Sequence, residues 1–117
     1  MRNGVMTISG AIAMFLMMPM VARGATPSEA CDFLLLSASK AVDARKAGVP
    51  PESISKSVHT DNQERRGFDA SVPDRLIDKF LRDLFSGAYD QMPSGLEFFD
   101  SAGTYTRRLR TECLKYF

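Results

Sequence analysis

The sequence predicts an all-α fold: a small three- to four-helix bundle with one disulfide, following a cleaved leader. Three observations predict it. Apolar residues recur at three- and four-residue spacing in three stretches, no run shows sustained strand alternation, and Cys31 and Cys113 stand near the two ends of the patterned region. The chain has 117 residues, 44% hydrophobic and 25% charged, with 15 basic against 14 acidic side chains and a formal net charge of +1. That length allows one small domain. The charge balance argues against a dedicated nucleic-acid binder, and the apolar fraction against a disordered chain.

The first element is a leader. Six of the seven methionines lie in the first twenty residues, where Arg2 precedes an acid-free apolar block, Ala11 to Val21, and the small residues Ala22 and Gly24 follow. This is the layout of a secretory signal peptide over residues 1–24, with cleavage expected after Gly24 and, second, after Ala25. A single arginine favours the general secretion route. A spanning helix needs about 20 apolar residues, whereas Ile8 to Ala22 is shorter and interrupted by Ser9, Gly10 and Pro19. No stable membrane anchor is therefore expected after cleavage, and the product is periplasmic or secreted. The remaining 93 residues, 25–117, form the single helical domain and carry 13 bases against 14 acids.

The first helix is expected over residues 27–47. Thr26 can cap it, Pro27 suits the first helical position, Glu29 completes a capping box, and Gly48 with Pro50-Pro51 ends it. Cys31, Leu34, Leu35, Ala38, Ala41 and Val42 give its buried stripe. A short helix can start at Pro51, with Ile54 and Val58 as its only apolar pair. His59 to Gly67 contains no aliphatic side chain, so the region 59–70 reads as an exposed loop or frayed helix end. Val72-Pro73-Asp74 then opens a helix in which Leu76, Ile77, Phe80, Leu81, Leu84, Phe85 and Ala88 make two adjacent stripes. That face is either central to the core or, over Leu76–Ala88, a homodimer surface. Within it, Asp78–Arg82 and Lys79–Asp83 are spaced as ion pairs.

Met92-Pro93-Ser94-Gly95 interrupts the chain. Ser94 and Glu97 suggest a second capping box, and Phe98, Ala102, Tyr105, Leu109, Cys113 and Tyr116 a last helical stripe containing Gly103. In an antiparallel bundle with an even number of helices, Cys31 and Cys113 meet at one pole. A disulfide is the leading reading; a reactive thiol or a metal pair are the alternatives, without a C-x-x-C motif or four evident ligands to support them.

Residue-level support for catalysis is thin. His59, the single histidine, reads as a solvated loop residue, with a general base or a titrating switch as the functional alternative. No nucleophile elbow, P-loop, dinucleotide fingerprint or zinc-protease motif occurs, and no cofactor is called for. Asp74, Asp78 and Asp83 read as helix-start and surface charges. Arg107, Arg108 and Arg110 form a basic group, with Glu112 spaced to pair with Arg108. It reads as a solvated face that complements the helix dipole, with an anionic partner as the alternative.

The segment Glu29-Ala30-Cys31-Asp32-Phe33-Leu34 resembles the cysteine-containing first helix of the HdeA-like periplasmic acid-stress chaperones, whose size and single disulfide also fit. The plan as a whole is similar to small exported disulfide-containing helical proteins of Gram-negative bacteria, among them periplasmic immunity proteins that block cell-wall-degrading toxins. The first resemblance implies a stress chaperone, the second an inhibitor. The expectation from these residues is a non-enzymatic protein-binding module of inhibitor or immunity type, with a stress chaperone and a small hydrolase as alternatives. The expected partner is another protein and not a nucleic acid. The contact candidates are His59, Asp61, Glu64, Arg65, Arg66, Arg107 and Arg110.

Overall fold

A computed structural model describes residues 24–100 and 103–117. The leader, Gly24 apart, and Ala102 lie outside the described residues. Four helices follow in order, α1 (Pro27–Lys46), α2 (Pro51–Arg65), α3 (Asp74–Phe85) and α4 (Thr104–Leu114), with short 3-10 turns at Arg66–Phe68 and Gly95–Phe99. The described residues contain no strand. The all-α fold with one disulfide is as expected.

Helix α1 starts as its sequence indicates. The Thr26 hydroxyl accepts from Glu29 N–H at 3.2 Å, and the Glu29 carboxylate accepts from Thr26 N–H at 3.1 Å. It ends where Gly48 takes φ +85° and Val49 N–H donates back to Ala44 O at 3.0 Å. Ala30, Cys31, Leu34, Leu35, Ala38, Ala41 and Val42 are buried along it, joined by Ile54 and Val58 of α2 and by Leu76, Ile77, Phe80, Leu81 and Leu84 of α3. Each fully buried Leu, Ile or Phe contributes about 1.5–3 kcal/mol relative to exposure. Of the residues considered for a dimer surface, Leu76, Ile77, Phe80, Leu81 and Leu84 are packed within the chain, Phe85 is half-buried and Ala88 exposed. Gly87, at φ +98°, stops α3 before Ala88, and Ala88 N–H donates to Asp83 O at 3.0 Å.

Two expectations are corrected. The stretch His59–Arg65 is neither loop nor frayed end: α2 continues through it to Arg65, and a 3-10 turn then carries the chain to Phe68. Apolar periodicity missed this because the helix is docked by polar groups. The buried Asn62 amide donates to Val72 O and its carbonyl accepts from Val72 N–H, both at 2.9 Å. The second correction concerns the last helix, which begins at Thr104 and not at Ser94. Ser94 caps only a 3-10 turn, where its hydroxyl accepts from Leu96 N–H at 3.0 Å. Gly103 sits at the start of α4, and Gly95 is where the chain backbone comes closest to α1, against Ser39.

The connector between α3 and α4 supplies core, of which apolar spacing identified Phe98 but not Tyr89 or Met92. Tyr89 lies 5.3 Å from Phe80, 5.5 Å from Phe98 and 5.6 Å from Tyr105, ring centre to ring centre. Met92 and Phe98 are also fully buried. At the opposite end of α4, Cys31 and Cys113 are joined by a disulfide that links residues 82 apart.

Candidate partner-contact surface

The seven contact candidates do not form one patch. Five lie on α2 and its following turn, and two on α4. His59 directs Nε2 at Asp78 Oδ1, 2.9 Å away, and its Nδ1 is 3.9 Å from Asp74 Oδ1. It is therefore a bridge between α2 and α3, correcting its reading as a solvated loop residue. Arg66 donates to the other oxygen of Asp74 at 2.9 Å, so His59 and Arg66 converge on one α3 carboxylate. The helix-start acids Asp74 and Asp78 are what anchor α2.

On the side of α2 that meets α1, Asp61 accepts from the Ser37 hydroxyl and lies 3.6 Å from an Arg65 nitrogen. The Arg65 guanidinium stacks over the Phe33 ring with 4.0 Å to its centre. Glu64 is exposed on the outward face of α2, alongside Ser53, Lys56, Ser57 and Thr60.

Among the described residues, the most exposed large apolar side chain lies just past this polar run. Phe68 is 76% exposed. It borders an open hollow of about 490 Å³ lined also by Gly24, Ala25, Glu29, Phe33, Arg65 and Ala70. The backbone turns sharply there, with Asp69 in the left-handed region at φ 55° and Ala70 N–H returning to Arg65 O at 3.0 Å. Sequence reasoning missed Phe68 because a lone aromatic between Gly67 and Asp69 has no helical period. The composition Arg-Arg-Gly-Phe was the available signal. Phe33 was equally silent, being off the buried stripe of α1.

On α4, Arg110 turns inward to Asp32 and the Ser28 hydroxyl of α1, while Arg107 is exposed. Glu112 does not pair with Arg108 as its spacing suggested. It accepts from Lys79 of α3 at 2.7 Å. That hydrogen bond lowers the Glu112 pKa and raises that of Lys79. The hydrogen bond of Lys79 thus goes to Glu112 and not to Asp83, while Asp78 is engaged by His59.

Among the described residues, no group of three or more His, Cys, Asp or Glu side chains is arranged to hold a metal ion. No described helix is long and apolar enough to cross a membrane. No protein-family model matches the sequence, and comparisons with curated proteins and with solved structures return no match.

Proposed function

We propose that the protein is an exported, non-enzymatic binding module of inhibitor or immunity type, whose partner is another protein. The observation that carries this reading is the exposed Phe68 at the tip of the turn after α2, beside Arg65, Arg66 and an open hollow. A large aromatic flanked by arginines, and free to be desolvated, is the composition of binding hot spots. Its position is held by the Asn62–Val72 bonds and the Arg66–Asp74 pair, so little conformational freedom is lost on binding. The leader and the disulfide support an oxidising destination, periplasmic or secreted.

The test is capture from a periplasmic extract at neutral pH with the oxidised protein as bait. One stoichiometric partner, lost when Phe68→Ser is the bait, is the expected result. No such partner, or equal capture by the variant, rejects the reading. Phe68→Ser should unfold at the wild-type urea midpoint, since the side chain is already largely in water.

A stress chaperone is the second reading, favoured by the way α2 is attached. Its anchors to α1 and α3 are polar, through Asp61, Asp74 and Asp78, and this reading expects the packing to loosen in acid. Near-UV circular dichroism that stays native at pH 2–3 while clients precipitate rejects it. A hydrolase would need a histidine nitrogen facing substrate, and His59 points both of its nitrogens at α3 carboxylates.

A further inference from the structure

Charge is segregated along this chain. The segment from Thr104 to Phe117 carries four bases and one acid, while residues 25–103 carry nine bases and thirteen acids. Two ion pairs between these segments leave their net charges unchanged. The single acid, Glu112, is held by Lys79 of α3, and Arg110 is turned onto Asp32 of α1. On the outward side of α4, Thr104, Arg107, Arg108, Thr111 and Lys115 are exposed, and the half-buried Glu112 that borders them is bonded to Lys79. Arg75 of α3, stacked on Tyr116 with 4.8 Å to the ring centre, adds a cation at the flank. Apolar side chains lie exposed at the same end: Leu114 beside Lys115 at 41% and Phe117 beyond it at 57%.

We infer that this face of α4 docks the protein reversibly on an anionic lipid surface, with Arg108 and Lys115 against headgroups and Leu114 and Phe117 entering the interface. Cations interleaved with exposed leucine and phenylalanine are the chemistry of such docking. A chain whose remaining residues are net acidic is also oriented by it, because those residues are on balance repelled from the surface that attracts α4. The Phe68 turn belongs to a different part of the molecule and stays available to a protein partner. This inference does not rest on the proposed inhibitor function.

The experiment is co-sedimentation of the exported, oxidised protein, its mass confirming loss of the apolar Ala11–Val21 segment. The probes are phosphatidylglycerol–phosphatidylcholine vesicles and pure phosphatidylcholine vesicles. Binding to the anionic vesicles alone, reduced about fivefold for each charge removed in Arg108→Gln and Lys115→Gln and abolished by high salt, is expected. Leu114→Ser should weaken it further without changing its salt dependence. No binding to the anionic vesicles overturns the inference, as does equal binding to phosphatidylcholine or unaltered binding by both charge variants. Binding of a labelled deca-glutamate peptide in the absence of vesicle binding overturns it in favour of an acidic polypeptide. Circular dichroism identical to wild type shows that each variant has folded.

Discussion

The Asn62 side chain holds both backbone polar groups of Val72, donating to its carbonyl and accepting from its N–H at 2.9 Å each. Both residues are buried, so truncation leaves backbone groups without water or partner. Asn62→Ala should cost about 2–6 kcal/mol, from one to three for each of the two orphaned groups. Asn62→Asp should cost more near neutral pH, because a carboxylate cannot donate to Val72 O. Urea unfolding followed by circular dichroism measures both, and a loss under 1 kcal/mol for alanine refutes the clamp.

Gly95 is the position least able to accept a side chain. A methyl group there would stand 2.1 Å from Ser39 O and 2.8 Å from Ser39 C, backbone atoms of α1 that cannot move independently. The Gly95 N–H also donates to Asp43 Oδ1 at 2.6 Å, which fixes the approach. Gly95→Ala should destabilise the fold by about 3 kcal/mol or more, the upper range for overpacking. Gly67→Ala is the control, since nothing lies within 4 Å of the added methyl. Equal thermal midpoints for the two variants would contradict the packing described.

The disulfide closes a span of 82 residues. Loop-closure entropy assigns such a link about 4–5 kcal/mol before strain, a large part of the total for a domain this small. Reduction, or Cys31→Ala with Cys113→Ala, should therefore lower the unfolding free energy by several kcal/mol. Because the two sulfurs are bonded to each other, an alkylating reagent added in denaturant should label neither cysteine of the unreduced protein. Two labelled cysteines without a reductant would refute the staple.

Two groups set a pH dependence. Glu112 has a lowered pKa through its bond to Lys79, so its stabilisation is present above the unfolded carboxylate range and lost as acid passes its folded pKa. Lys79 is raised by the same bond, so its share is present below the unfolded lysine pKa and lost as alkali passes its folded value. The pair thus acts across the plateau from about pH 5 to pH 10. Glu112→Gln should flatten the acid limb of the stability profile. Tyr89 is pushed up to about 12, mainly by burial and then by Asp83. Its neutral form stabilises the fold below the unfolded tyrosine pKa, and this is lost as pH rises through 12. A tyrosinate absorbance step near that pH should vanish in Tyr89→Phe.

The helices with apolar stripes were legible in the sequence because Leu34, Ala38, Leu76 and Phe80 belong to rows that a 3.6-residue period reveals. The cysteine pairing followed from their places near the two ends of the bundle. The extent of α2 was hidden, since a helix held by Asn62, His59 and Asp61 has no apolar row to count. The start of α4 was misplaced because Phe98 and Tyr105 share a spacing while belonging to different elements. In the candidate surface, charged residue types were visible but their partners were not. Glu112 had Arg108 at helical spacing, and only the packing of α3 against α4 brings Lys79 closer. Phe68 stood outside every periodic pattern, and its meaning depends on an exposure that one dimension does not record.

The link between Cys31 and Cys113 also changes what a break in the backbone does. A protease that cuts the exposed turn at Arg66–Asp69 leaves two pieces, one carrying α1 and α2 and the other α3 and α4, still joined through sulfur. The nicked molecule gains the mass of one water and keeps its size until a reductant separates the halves. Covalently the domain is a ring with two short tails, and a single cut only opens the ring into a line.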